Sequence, residues 1–233
     1  MVFRGLLLAV TVMLGPMTII ASGQEQTELP EIGQSVQQDF LAAARANNTD
    51  KLNAGLKAGL PVDSSDASGR TALMIATHAN AIDAARVLIE AGADVNAKDR
   101  LHDSPYLYAG AEGRLEILKM TVAAGADLKA VNRYGGTALI PAAHHGHVEV
   151  VRYLLTTKTD IDHVNFLGWT ALLEAVILGD GGPTYQEIVA LLLQAGAETG
   201  IGDKEGVTAL EHARSRGQTE ITRLLEKHAE KRD

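Results

Sequence analysis

The chain has 233 residues, a formal net charge of −8 and no cysteine. The lack of cysteine excludes disulfides, thiolate nucleophiles and cysteine-ligated zinc, and the acidic balance argues against a nucleic-acid binder, which needs a basic face. Hydrophobic residues make up 46% and charged residues 21%, as in a folded protein, but aromatic residues make up only 4%. Such a core must be built from small and aliphatic side chains, as in closely packed short helices.

Residues 1–23 have the pattern of a signal peptide. Arg4 precedes an apolar run from Gly5 to Ile20, and small residues at 21–23 suit a cleavage site. Together with the absence of cysteine, this predicts a protein of the bacterial periplasm that does not contact the membrane after cleavage. The alternative is an uncleaved inner-membrane anchor, although the run is short for a span of about 20 residues. The polar residues 24–35 are predicted to be a flexible leader.

The rest of the chain repeats itself. Thr71-Ala72-Leu73 recurs at intervals of 33 as Ser104-Pro105-Tyr106, Thr137-Ala138-Leu139 and Thr170-Ala171-Leu172, and after 38 more residues as Thr208-Ala209-Leu210. A fixed period of this length is typical of a solenoid, with atypical capping units at its ends. We expect an all-α domain at 36–229 with a tail at 230–233. Its six helix–turn–helix units are unit 1 (36–65), unit 2 (66–98), unit 3 (99–131), unit 4 (132–164), unit 5 (165–202) and unit 6 (203–229).

Unit 4 illustrates how one unit is predicted to fold. Thr137 starts a short helix, and its hydroxyl caps free backbone N–H groups. Gly146 ends that helix in the left-handed conformation, which Asn80 adopts in unit 2. A second helix from Val148 carries apolar residues at helical spacing. Pro141 is expected in the first turn of the first helix, where its missing N–H has no helical partner to lose.

The motif Gly-x-Thr-Ala-Leu, followed by Gly146-His147, paired valines and leucines, and Gly92-Ala93-Asp94, closely resembles the ankyrin repeat. The resemblance covers about 190 residues and implies an all-α solenoid. It also implies a monomeric, non-catalytic module without cofactor that binds another protein, in this case in the bacterial envelope. The alternative within binding is an inhibitor or immunity protein that neutralises an envelope-active hydrolase or toxin. The sequence departs from the pattern at His102 and Lys158, where glycine is usual.

The resemblance also implies where a partner would bind. Ankyrin proteins usually contact partners through the turn tips and the exposed end of each first helix, which form a concave face. Several of these positions are apolar, and exposed apolar clusters mark interaction sites. The alternative is that an inserted loop covers 166–169. The predicted partner-binding residues are Arg100, Leu101, Arg133, Tyr134, His144, His145, Phe166, Leu167, Trp169, Ile177, Leu178 and Tyr185.

Two further features could carry chemistry. Unit 5 holds five extra residues, and the glycines and proline of 179–185 predict a loop that is either functional or a longer surface turn. The cluster of His144, His145 and His147 has metal-like composition, but consecutive histidines on a helix point about 100° apart. We therefore predict no metal site, no catalytic residue and no enzyme. A hydrolase that uses residues 179–187 is the alternative from another class.

Overall fold

The computed structural model describes residues 31–230, so the predicted signal peptide and most of the predicted leader lie outside the described residues. Within that range the fold is all-α: it has no β-strand, only two isolated β-bridges. In the same range no helix is long and apolar enough to cross a membrane. The helices are α1 (Glu31–Arg45), α2 (Thr49–Lys57), α3 (Ala72–His78), α4 (Ile82–Glu90), α5 (Pro105–Ala111), α6 (Leu115–Ala123), α7 (Leu139–His144), α8 (Val148–Leu154), α9 (Ala171–Ile177), α10 (Pro183–Gln194), α11 (Ala209–Ser215) and α12 (Thr219–Ala229).

The helices form six antiparallel pairs that stack in chain order. The first helices α1, α3, α5, α7, α9 and α11 pack one on the next, and so do the second helices from α2 to α12. A single apolar core runs through the stack from Phe40 to Leu225. Small residues let the helices approach closely, since a Cβ on Gly110 of α5 would lie 2.7 Å from Ala138 Cβ in the next unit.

Side-chain caps start four of the first helices. The hydroxyl oxygens of Thr71, Ser104, Thr170 and Thr208 accept hydrogen bonds of 3.2–3.4 Å from the backbone N–H three residues later. Each bond satisfies one of the backbone donors that a helix leaves free at its N-terminus. The repeated Thr or Ser therefore sets the first residue of these four helices.

Unit 4 departs from this pattern. Pro141 lies in the first turn of α7 as predicted, but two other predictions are wrong: that the Thr137 hydroxyl caps the helix, and that the missing N–H of Pro141 has no partner to lose. In the other four repeats the N–H at the position of Pro141 donates to the carbonyl of the capping residue, as Glu174 N does to Thr170 O at 2.9 Å. Pro141 has no such N–H, so Ile140 N donates to Thr137 O instead, at 3.2 Å. The Thr137 hydroxyl, predicted to cap the helix, is buried without a hydrogen-bond partner. Helix α7 consequently starts at Leu139.

The helix ends follow the sequence more closely. Gly146 and Asn80 have the expected positive φ, 76° and 52°. In the turn before α5, His102 also adopts a positive φ of 64° in place of the usual glycine. At Lys158, the other substituted glycine, the turn is built differently, because the hydroxyls of Thr156 and Thr157 donate to the carbonyls at the end of α8.

Two boundaries differ from the prediction. Residues 31–35, assigned to the flexible leader, form the first turn of α1. The insertion is only partly a loop, because Pro183, Thr184 and Tyr185 form the first turn of α10, which is 12 residues long. Proline is favoured at the first helical position, where no N–H is needed and φ is already helical. The extra residues of unit 5 therefore mainly lengthen a helix.

Candidate functional site

The turn before each first helix from α3 to α11 is built around one Asp or Asn side chain. Its Oδ1 accepts hydrogen bonds of 2.8–3.1 Å from the backbone N–H groups two and four residues later. This local bonding is characteristic of Asx turns. It fixes the backbone of each turn tip but leaves the side chains at the tip free. The residues are Asp66, Asp99, Asn132, Asn165 and Asp203.

Backbone hydrogen bonds join the turn tips of units 2 and 3 and those of units 4 and 5, and the apolar side chains of the tips project into solvent. Phe166 N donates to Tyr134 O at 2.9 Å, and Arg100 N donates to Ser68 O at 3.0 Å. Phe166 is 69% exposed, Leu101 57% and Tyr134 55%. Leu167 and Leu178 are also exposed. The tips thus form a row with apolar groups in contact with water, as expected of a binding surface.

Between the turn tips and the first helices of units 2 to 5 lies a groove of about 490 Å³. Its apolar lining comes from Leu101, Ile140, Pro141, Leu167 and Leu178. A larger set of polar and aromatic side chains lines the rest of it. These are His78, Asp99, Asp103, Tyr108, Glu112, Asn132, Arg133, Tyr134, His144, His145, Asn165 and Glu174.

Glu174 of α9 contributes a buried carboxyl group to this groove. The residue is 6% exposed, and its Oε1 accepts a 2.8 Å hydrogen bond from Asn165 Nδ2. Burial raises the pKa of Glu174 to about 7, while the bond from Asn165 and the nearby His145 partly oppose that rise. The carboxyl group therefore changes charge near neutral pH.

The other oxygen of this carboxyl group faces His144. Glu174 Oε2 lies 3.5 Å from His144 Nδ1, which is long for a hydrogen bond. Burial lowers the pKa of His144 below its ordinary value of 6.5, with a smaller contribution from His145. Since burial moves the two pKa values in opposite directions, His144 loses its proton before Glu174 does. The contact is then not a permanent ion pair.

His145 and His147 have a structural role. His145 Nδ1 lies 2.7 Å and His147 Nε2 3.1 Å from the carbonyl oxygen of Ala111. A carbonyl can only accept, so both nitrogens carry the proton. The two rings satisfy a backbone acceptor that the end of α5 leaves free. Nowhere in 31–230 do three histidine or carboxylate side chains gather so that they could hold a metal ion.

At the rim, Arg133 and Tyr134 interact with each other and with unit 3. Arg133 donates to Asp103 Oδ2 at 3.0 Å, and its guanidinium lies 4.8 Å from the centre of the Tyr134 ring. Burial raises the pKa of Asp103, which Arg133 opposes. Further along the groove, the rings of His78 and Tyr108 stack at 3.7 Å.

The structure separates the predicted partner-binding residues into three sets. Seven of them line the groove: Leu101, Arg133, Tyr134, His144, His145, Leu167 and Leu178. Arg100 and Phe166 are exposed on the turn tips beside it. Trp169 and Ile177 were expected to face water, but both are half-buried and pack against the core. Tyr185 is also half-buried, and its hydroxyl donates to His144 O at 2.8 Å.

The inserted residues do not cover the tip of unit 5, since Phe166 is the most exposed of the large apolar side chains described. The acidic side chains of the insertion also have structural partners. Asp180 Oδ1 accepts from Gly182 N at 2.7 Å, and Glu187 pairs with Arg152. These contacts do not form the convergent acid–base pair that a hydrolase at 179–187 would need.

Sequence reasoning missed the floor of the groove. Glu174 occupies the position after Thr-Ala-Leu-Leu, where the other units carry Ile75, Tyr108, Pro141 and His212. Its partner Asn165 belongs to the Asp/Asn series at the turns, which recurs at the same 33-residue spacing. The position of Asn165 could therefore have been predicted from the repeat. The burial of Glu174 could not, because the order of residues alone does not show it.

Comparison with known proteins agrees with this architecture. The family profile described as ankyrin repeats (3 copies) matches residues 35–99 and 106–203. A crystal structure of the ankyrin repeat domain ABAYE2397 from Acinetobacter baumannii AYE is 57% identical with a TM-score of 0.80, covering 82% of this chain and 97% of that one. The ankyrin repeat protein EF0377 is 46% identical with a TM-score of 0.78, covering 81% and 96%.

A further relative matches over a much shorter stretch of the chain. The ankyrin repeat protein YahD of Escherichia coli (strain K12) is 54% identical over 52 residues, which are 22% of this chain and 26% of that protein. The chain thus spans about a quarter of the length of this curated relative. The family match over more than half of the chain shows that the protein belongs to the ankyrin-repeat family. Ankyrin repeats are generally protein–protein interaction modules.

Proposed function

We propose that the protein is a non-catalytic, monomeric module of the bacterial periplasm that binds a partner protein in the groove of units 2 to 5. The observation that carries this proposal is the row of exposed apolar tips beside a groove of about 490 Å³. The hydrogen bonds within and between turns hold in place the backbone that carries these side chains before a partner arrives. A preorganised surface loses little conformational freedom on binding.

Site-specific photo-crosslinking in the cell identifies the partner. A benzoylphenylalanine in place of Tyr134 should crosslink one protein under ultraviolet light, and the same probe in place of the exposed Lys51 of α2 should not. With that partner purified, Tyr134→Ala combined with Leu167→Ala should weaken binding at least tenfold, because aromatic and apolar anchors dominate interface energy. The matched control is Val36→Ala, which removes an exposed apolar side chain in unit 1. Equal affinity of the double variant and wild type would reject this surface.

Export is tested separately. The protein should appear in the osmotic-shock fraction with Gln24 as its first residue. A chain that retains Arg4 and sediments with membranes would support the anchored alternative. If the crosslinked partner is a hydrolase or toxin, its activity in the presence of the purified protein decides whether binding inhibits it, as an immunity protein would.

A further inference from the structure

The carboxyl group of Glu174 is unusual for a side chain on the floor of a binding groove. It is 6% exposed, yet its only ionic contact within 4 Å among residues 31–230 is with His144, at 3.5 Å. Buried carboxylates are normally paired with a cation or held by several hydrogen bonds, because losing hydration is costly. The bond from Asn165 supplies one of these and occupies Oε1. The other oxygen, Oε2, can still accept a hydrogen bond from an incoming donor.

The neighbouring basic groups do not give Glu174 a fixed cationic partner. The guanidinium of Arg133 is held by Asp103 at 3.0 Å. His145 and His147 direct one nitrogen each at Ala111 O. His144 is neutral over most of the range in which Glu174 is ionised. A cation that entered the groove would therefore meet a carboxylate without a fixed partner.

The remaining lining favours a cation on an apolar stem. Four carboxyl groups but one arginine line the groove, and the chain carries a net charge of −8. The exposed side chains of Tyr134, Leu167 and Leu178 lie along the same groove. Lysine and arginine combine an apolar stem with a charged tip and bury the stem along such surfaces. An acidic ligand would meet the same carboxylates with repulsion.

We propose that the groove receives one lysine or arginine side chain of the partner protein, with its cationic head on the Glu174 carboxylate and its stem along the apolar lining. This inference rests on the proposed function, since it specifies the chemistry of the partner at the same site. Asn165 positions the carboxylate, and Oε2 accepts a hydrogen bond from the incoming head group. The charge-assisted bond replaces the weak contact with His144.

The first test uses small probes and nuclear magnetic resonance at pH 7.5. N-acetyl-arginine methylamide and N-acetyl-lysine methylamide are titrated into the protein, with the norleucine derivative as an uncharged control of similar shape. A basic probe should shift the side-chain amide of Asn165 saturably, and at least tenfold more tightly than norleucine. Equal binding of the charged and uncharged probes would overturn the proposal. The stronger of the two basic probes shows which side chain the groove prefers.

The variant Glu174→Gln keeps an acceptor for Asn165 but removes the charge. It should lose at least tenfold in affinity for the basic probe, whereas Glu90→Gln, which removes an exposed carboxylate at the end of α4 outside the groove, should lose less than threefold. Unchanged binding by the Glu174→Gln variant would also overturn the proposal. If thermal unfolding shows that this variant is not folded, the binding of the arginine, lysine and norleucine probes to the wild-type protein still tests the proposal.

A displayed library of random peptides separates failure of this inference from failure of the proposed function. Peptides selected on the wild-type protein should share a lysine or arginine and should bind the Glu174→Gln variant at least tenfold more weakly. Peptides that bind the groove without a basic residue would leave the proposed function intact and refute the basic anchor. A library that yields no binder to the groove would reject both.

Discussion

Replacing Glu174 by glutamine should stabilise the protein at alkaline pH. The side chain is 6% exposed, and burial raises its pKa from 4.5 to about 7. The folded protein therefore holds this proton more tightly than the unfolded chain does. As pH rises from about 4.5 to 7, the unfolded chain releases the proton first, and the free energy of unfolding falls; above 7 the deficit persists.

The size of the effect follows from the two pKa values. Ionisation of Glu174 lowers the free energy of unfolding by about 1 kcal/mol at pH 5 and about 3 kcal/mol at pH 8. Glutamine does not ionise and can still accept from Asn165. The advantage of Glu174→Gln over wild type should therefore grow by about 2 kcal/mol between pH 5 and pH 8, or about 4–8 °C in Tm.

Urea unfolding at both pH values, followed by circular dichroism, measures this difference. His144 titrates in both proteins, so most of its contribution cancels in the comparison. Glu112→Gln serves as the control and should change the free energy of unfolding by less than about 0.5 kcal/mol at either pH, as is usual for exposed positions. A Glu174→Gln variant with the same advantage at pH 5 and pH 8 would refute the assignment of a buried, proton-binding carboxyl group.

Three stability predictions concern the scaffold and are measured by the same urea titration. Asn132→Ala removes the acceptor of two backbone N–H groups and should lower the free energy of unfolding by about 1–3 kcal/mol; a loss no larger than that of the exposed Asn53→Ala would argue against the Asx turn. Pro141→Ala restores a backbone donor and should raise the free energy of unfolding by about 1 kcal/mol. A decrease would contradict the explanation given for the late start of α7. Gly110→Ala introduces a Cβ against the next unit and should cost about 1–3 kcal/mol. Gly200→Ala, with open space around its Cβ, should be near neutral, and equal costs for the two glycines would be inconsistent with close packing at Gly110.

The sequence predicted the architecture because the repeat places the same residue type in the same environment several times. The helix pairs, the caps at Thr71 and Thr170, and the left-handed Gly146 all follow from local geometry that recurs with the period. Prediction was wrong where a single residue overrides its unit. Pro141 removes one donor, which displaces the start of α7 and leaves the Thr137 hydroxyl without a partner.

The candidate site was less predictable, because exposure depends on packing between units. Phe166 and Leu167 are exposed as expected. Trp169, which follows the exposed residues of the same turn, packs against the core. Glu174 belongs to the most buried stretch of α9, and a linear pattern does not show whether a buried acid faces a core or the floor of a groove.

The amide of Asn165 connects two levels of the molecule. Its oxygen holds the backbone N–H groups of Leu167 and Trp169, and its nitrogen donates to Glu174. A change of charge at the floor therefore acts on the same side chain that shapes the outermost loop of the unit. Through this one planar group, the backbone of the turn tip and the proton-binding carboxyl group share a single hydrogen-bonding partner.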